Sequence, residues 1–380
     1  MTGRLAAALL AVAVIAGCGG TPAPRVELPA TKPPIVITIG RFDPSAAVPV
    51  VSDEVSFPVE GHTVPATIVH PTTGVWPAIV LMAGSGPTDR DWNSPLLPNK
   101  NGSGKLLAEA LAKHGAVVIR FDKAAVGGNK LAADQVTLDT YVDEARGALT
   151  FLRGRPDVDQ HHMFVAGHSE GGIHAIRVAI AEGGRIAGLV LLSSAGRTMK
   201  DIMLGQLEAQ FKQAAAAGQM PPDLAKAQVA AIGQAFNDFV EGRPVDPTAV
   251  SAIPQIQQLI AMITNPATAK LSRDLFGFDP GGAVGKLRVP VFVFNGLKDV
   301  QVDPNLDAAR LEKILRDNGQ DVTLFLAPDA NHVLKHETKS TAELRKDLAT
   351  TQANYNAPGA VLDPTTLSAL GNWIALHDKE

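Results

Sequence analysis

One stretch of this sequence has the residue types and flanks of a nucleophile held on a sharp turn. Gly167-His168-Ser169-Glu170-Gly171-Gly172 follows the apolar run 163–166 and precedes the helix-forming text Ile173-His174-Ala175-Ile176-Arg177-Val178. Strand, G-x-S-x-G, helix is the context of a nucleophile elbow. The serine occupies a strained turn, and glycines on both sides leave room for the strand and the helix to approach each other. Its hydroxyl then stands above the sheet at a helix N-terminus, whose dipole favours negative charge. A hydroxyl is a poor nucleophile until a base takes its proton, and the base needs a carboxylate to orient it. The chain order that accompanies this elbow is Ser, then Asp or Glu, then His.

Asp299 is the leading carboxylate. It lies in Phe294-Asn295-Gly296-Leu297-Lys298-Asp299, just beyond the apolar run 289–294, at the carboxyl end of a strand, where open α/β sheets place their sites. Asp303 competes with it, although Pro304 behind it makes it read as a helix N-cap. The base candidate is His332, in Ala327-Pro328-Asp329-Ala330-Asn331-His332 after the run 322–326. His336 and Glu337 give a faint metal-ligand spacing, but a zinc site needs a third ligand and a different neighbouring pattern. No metal or organic cofactor is expected. His114, His161, His162 and His168 read as surface or packing histidines. An acyl-transfer intermediate needs two backbone N–H donors for its oxyanion. Glu170, next to the nucleophile, supplies one. Ser85 supplies the other, from Ala83-Gly84-Ser85-Gly86-Pro87-Thr88-Asp89-Arg90-Asp91 after the run 78–82.

These residues need a scaffold, and the hydrophobic pattern describes one. Val55, Phe57 and Val59 alternate, Gly61-His62 reads as a turn, and residues 63–70 return, which predicts an antiparallel hairpin. Continuous apolar runs at 78–82, 116–121, 163–166, 189–192, 289–294 and 322–326 predict strands buried on both faces. Helical stretches at 106–114 and 138–152 lie between some of them, the second with Tyr141, Ala145, Leu149 and Leu152 at helical spacing. The expected fold is α/β: a mostly parallel, doubly wound sheet with antiparallel N-terminal strands. Residues 197–280 break the alternation. Met203, Leu207 and Phe211 share one helical face, Val229, Ile232, Phe236 and Val240 a second, and Ile253, Ile256, Ile260 and Ile263 a third. This insertion reads as a helical cap between core segments 48–196 and 281–380. Most of its apolar residues would pack against each other, and a minority would shape an apolar pocket. Its text is not aromatic-rich, which favours small or medium acyl groups.

The N-terminus reads as a targeting segment. Arg4 precedes the apolar stretch 5–16, which is too short for a comfortable bilayer span. Ile15-Ala16-Gly17-Cys18 follows and resembles the lipobox of bacterial lipoproteins, with the single cysteine of the chain as its last residue. That resemblance implies a signal peptide over 1–17, acylation of Cys18, and a protein held on the outer side of an envelope membrane by its acyl chains. Residues 18–47, proline-rich and without periodicity, would be a tether. A formal net charge of −4 and scattered basic residues give no electrostatic case for binding nucleic acid.

Together, Gly84-Ser85-Gly86-Pro87 with Asp89-Arg90-Asp91, Arg120-Phe121-Asp122-Lys123 with Gly127, and the elbow at Ser169 resemble the α/β-hydrolase superfamily. Within it they are most similar to bacterial carboxylesterases of the dienelactone-hydrolase and prolyl-oligopeptidase-like branches. The resemblance implies hydrolysis of a small-molecule ester through an acyl-enzyme, and Asp299 and His332 fall where the family places its acid and base. Ala83 stands where the family usually has His, and Ala124-Ala125 where it usually has Arg-Gly. Neither position does chemistry. An acyltransferase or peptidase using the same three residues, or a catalytically silent envelope lipoprotein, are the rival expectations.

Overall fold

A computed structural model describes residues 40–378. The segment read as a signal peptide (1–17), Cys18 and most of the proposed tether lie outside the described residues. Strands β1 (Val50–Val59) and β2 (His62–Pro71) form the antiparallel hairpin. Its turn is Glu60-Gly61, one residue earlier than the pattern suggested. The alternation of β1 runs on to Val59, which pairs with His62, and Gly61 supplies the positive φ of 82° that a tight turn requires.

The remaining strands are β3 (Trp76–Met82), β4 (Val117–Phe121), β5 (Val158–His168), β6 (Gly188–Leu192), β7 (Val291–Gly296) and β8 (Val322–Ala327). All eight form one sheet in the order β1-β2-β4-β3-β5-β6-β7-β8, parallel from β4 to β8, with β2 antiparallel to β4. Successive residues of β3 point to opposite faces, and both faces are buried. Ala78, Val80 and Met82 join one core, whereas Ile79 and Leu81 join the other. That double burial is why the run carries no polar residue.

Helix α1 (Ser103–Lys113) covers one face, α2 (Leu138–Arg153) and α3 (Glu170–Glu182) the other. The chain leaves β3 in one direction to reach β4, then crosses back over β3 to β5. The order therefore reverses between β3 and β5, and a crevice opens at their carboxyl ends, where ligands of such sheets bind. Residues 40–47, read as tether, instead pack on the core. Phe42 is buried, its N–H bonds the Asp378 carboxylate at 2.8 Å, and Asp43 N–H bonds His114 O at 2.9 Å. A single buried aromatic leaves no periodic trace.

Between β6 and β7 the described residues form no strand. Helices α4 (Met199–Ala216), α5 (Pro222–Val240), α6 (Pro247–Val250), α7 (Pro254–Ile263) and α8 (Ala269–Gly277) fill the insertion. Their apolar faces make a core of their own, with Leu207, Phe211, Ile232, Phe236, Ile256, Ile260 and Phe276 buried together. Short α9 (Pro280–Val284) returns to the sheet through Val284, and α10 (Ala309–Asp317) packs beside it. Asp307, wholly buried, accepts from the Gly196 and Arg197 N–H groups at 3.0 Å and from the Arg197 guanidinium at 2.7 Å. Arg310 donates to Gly196 O at 2.9 Å and lies 3.6 Å from Asp279. One turn of chain thus holds both ends of the insertion. Short α11 (Thr341–Leu344) and α12 (Leu348–Asn354) lead to α13 (Pro364–His377), which closes the α1 face with Leu370, Trp373 and Ile374. No helix among the described residues is long and apolar enough to cross a membrane.

Because the insertion has a separate core, it should fail separately. Phe236 stands edge-on to Phe276 with centroids 5.4 Å apart, and its replacement by Ala is expected to cost about 3–5 kcal/mol. All three tryptophans, Trp76, Trp92 and Trp373, lie outside the insertion. In Phe236→Ala, protease should cut within 199–277 at urea concentrations where tryptophan fluorescence still reports a native core. Simultaneous loss of both signals would show a single cooperative unit.

Candidate active site

The sheet ladder carries the chain up to the point where it turns. His168 ends β5, and the Ser169 N–H still bonds Leu192 O at 2.9 Å. Ser169 then adopts φ 54°, ψ −123°, and α3 begins at the next residue. This backbone region is strained for any residue with a side chain. Two glycines make it possible. A Cβ at Gly167 would collide with the Gly171 carbonyl, and one at Gly171 with the carbonyls of Met82 and Ala83 at the end of β3.

His332, in the loop after β8, places Nδ1 at 2.8 Å from Asp299 Oδ2, and both side chains are buried. Asp299 sits in the loop after β7. Its Oδ1 accepts the N–H groups of Gln301 (2.8 Å) and Val302 (3.0 Å). A carboxylate held in this way accepts a hydrogen bond from the imidazole Nδ1–H and leaves Nε2 as the basic nitrogen. Asp303, the rival carboxylate, instead accepts from the N–H groups of Asn305 and Leu306 as a cap. His336 faces Asp363 at 3.3 Å. Among the described residues no group of three or more metal-ligating side chains converges.

Ser169 and His332 line one cleft with two lobes. The cap-side lobe has an apolar wall of Ala195, Met199, Ile202, Met203 and Val302, faced by the polar side chains of Ser85, Glu170, Gln206 and Gln301. The other lobe carries Trp92, Leu96, Leu97 and Tyr355. Their empty volumes, open mouths included, are about 470 and 770 Å³. Gln301 ties the cleft floor to both sides, receiving Gln206 Nε2 from α4 on its carbonyl at 2.9 Å and donating its Nε2 to the Tyr355 hydroxyl at 3.2 Å.

Several residues around the cleft escape sequence reasoning. His168 is a packing histidine that touches the site directly. Its ring stacks on Trp92 with centroids 4.7 Å apart, and its Nε2–H donates to His332 O at 2.8 Å. Burial, then the neighbouring His332, push its pKa down to about 3, so the ring is neutral. Beneath the loop after β3, Lys123 is buried and donates to Gly84 O at 2.6 Å. Its ammonium lies 3.8 Å from Glu170 Oε1 and 5.6 Å over the Tyr141 ring. His174 donates to the same Glu170 oxygen at 3.3 Å. Burial drives the Glu170 carboxyl up, but Lys123, His174 and the Ser85 side chain outweigh it and hold the carboxyl at about 2. His174 was within reach of a spacing argument, since it follows Glu170 by four residues on α3.

The strand order, with its reversal at β3 and β5 and a serine on the elbow between β5 and α3, is that of the α/β-hydrolases. Solved structures of similar fold include the following two. One assigned as a dienelactone hydrolase from Klebsiella pneumoniae matches 87% of this chain and 100% of its own with a TM-score of 0.50 at 12% identity. A proline iminopeptidase from Mycobacterium smegmatis matches 86% of this chain and 99% of its own, also at 0.50, with 17% identity. Residues 102–339 match the serine aminopeptidase S33 family model, and the chain belongs to that family. The esterase EstD of Thermotoga maritima is 26% identical over 271 residues, which are 71% of this chain and 57% of that protein. The chain thus spans little more than half the length of this curated relative.

The neutral, buried His168 should make the fold sensitive to mild acid. Its folded pKa lies below the unfolded value near 6.5, so the unfolded chain takes up a proton that the folded chain refuses. Stability therefore falls as pH drops below about 6.5. Between pH 7 and pH 5 the wild type should lose about 2 kcal/mol more than His168→Gln, measured by urea unfolding. Equal losses would show that the ring charges without penalty.

Proposed function

We propose that this chain hydrolyses neutral carboxylic esters through an acyl-enzyme on Ser169. His332 accepts the Ser169 proton as the hydroxyl attacks the ester carbonyl, and Asp299 holds the imidazole in its Nδ1–H tautomer. The N–H groups of Ser85 and Glu170 receive the oxyanion. His332 returns the proton to the leaving alcohol, and a water attacking along the same path releases the acid. The observation that carries this reading is the 2.8 Å His332–Asp299 bond at the rim of a cleft that also holds a serine at φ 54°. The apolar wall of the cap-side lobe suits an acyl chain of small to medium size. The likeness to an esterase supports the same reaction class.

The charge pattern favours an ester over the N-terminus of a peptide. A free α-ammonium desolvated in a cleft needs a carboxylate partner. Among the described residues the only carboxylate side chain lining either lobe is that of Glu170, and Lys123 and His174 already occupy it. A nitrophenyl butyrate should be turned over with a kcat/KM at least about 100-fold above that of an aminoacyl nitroanilide, a ratio equal to the 2.8 kcal/mol of an unpaired charge. Ser169→Ala should lower ester turnover by on the order of 10⁴ or more without a change in melting temperature, and a fluorophosphonate should label only the wild type. Full turnover in Ser169→Ala would overturn the assignment.

We further propose that residues 1–17 are removed, that Cys18 is acylated and that residues 18–39 tether the enzyme to the outer side of an envelope membrane. The sequence Ile15-Ala16-Gly17-Cys18 carries this reading. In a bacterial host Cys18→Ser should move the protein from the membrane pellet to the soluble fraction with its specific activity retained. Unchanged membrane association would refute the anchor.

A further inference from the structure

We infer that Lys123 and Glu170 form a buried clamp that sets the spacing of the two oxyanion donors, so that both are positioning residues for the reaction. The inference rests on the ester-hydrolase reading above. The two N–H groups that must converge on one oxygen belong to different parts of the chain: Ser85 to the loop after β3, Glu170 to the first turn of α3. That loop has glycines on both sides of Ser85, and Gly86 sits at φ 73°, so the loop has little intrinsic stiffness. The Ala83 and Ala124-Ala125 positions offer no polar side chain to hold it.

The clamp spans this gap from below. Lys123 leaves the end of β4, passes under the loop, and ends at two acceptors: Gly84 O at 2.6 Å on one side and Glu170 Oε1 at 3.8 Å on the other. Ser85 and Glu170 border the same lobe of the cleft, and the Ser85 hydroxyl helps to hold the charge of that carboxylate. Each donor residue is therefore gripped by its own side chain or by its neighbour's carbonyl, and all the grips meet at one ammonium–carboxylate pair. His174 donates to Glu170 at 3.3 Å from the next turn of α3, which fixes the carboxylate against rotation. The Tyr141 ring, 5.6 Å from the ammonium, closes the pocket. Neither Lys123 nor the Glu170 carboxylate needs to touch substrate. Their effect is on where two N–H groups point, and an oxyanion hole acts through that alignment in the transition state rather than in ground-state binding.

Two variants test the clamp. Ser85→Ala keeps the backbone donor and removes only the hydroxyl that meets Glu170. Lys123→Met combined with Glu170→Gln removes both charges, so no unpaired charge is left in the core. With a nitrophenyl butyrate each variant should lose about ten-fold or more in kcat with KM within about two-fold of wild type. Affinity for a boronic acid that adds to Ser169 should fall in parallel. Ser85→Thr, which restores a hydroxyl, should recover kcat. Active wild type with kcat and boronate affinity unchanged in both variants would overturn the clamp and leave the ester reading standing. A wild type that neither hydrolyses esters nor labels with fluorophosphonate would overturn both.

Discussion

Ser169 occupies a backbone conformation that costs an L-residue about 1–3 kcal/mol, and much of the molecule can be read as the apparatus that holds it there. The strain is tolerable only because β5 arrives as a ladder-bonded central strand and α3 leaves at once, so that neither flank can relax. That arrangement demands bare backbone where strand and helix cross: a single methyl at Gly167 or Gly171 would meet carbonyl oxygens of Gly171, Met82 or Ala83. The same crossing lies where the strand order reverses, so the crevice, the helix dipole and the strained residue coincide. Ser85, Asp299 and His332 are brought to this one position by loops that follow strands β3, β7 and β8.

The polar groups near the crevice follow a common rule. Asp299, Asp307 and Lys123 each have an ionisable partner and each also ties down backbone. Asp299 binds His332 and two N–H groups of its own loop; Asp307 binds Arg197 and two N–H groups where the insertion begins; Lys123 binds a carbonyl of the loop after β3 as well as Glu170. Breaking any of these would leave an uncompensated charge in a low-dielectric setting, which is costly. Loops without regular hydrogen bonding are thereby held as firmly as the sheet they decorate.

The six apolar runs coincide with β3 to β8. In β3 to β7 the run is covered on both faces, which admits almost no polar side chain. The edge strand β8, expected to be buried on both faces, instead leaves Thr323 exposed and Leu324, Phe325 and Leu326 half-buried. The pattern fails at the strand ends. β5 starts at Val158, five residues before its apolar run, since Asp159, Gln160 and His161 keep their side chains toward water. Phe42 is missed for a related reason: one buried ring among prolines has no period. In the site, Ser169, Asp299 and His332 can be found because their chemistry ties residue type to strand ends. The site roles of Lys123, Tyr141 and the stacked His168 cannot, although helical spacing marked Tyr141 and a family likeness included Lys123, because what matters about them is burial beside a particular loop. That is a property of the assembled sheet and leaves no mark in spacing.

The separate interior of the α4–α8 insertion has a consequence for how such an enzyme changes over generations. Its side chains meet the crevice through Met199, Ile202, Met203 and Gln206, and the folding cost of altering the residues of its own core stays largely within its own helices. Substitutions there can drift, reshaping one wall of the crevice while the strained serine and its supports stay under undiminished purifying selection. New specificities would then arise in the helices, and the reaction itself would be inherited unchanged through the sheet.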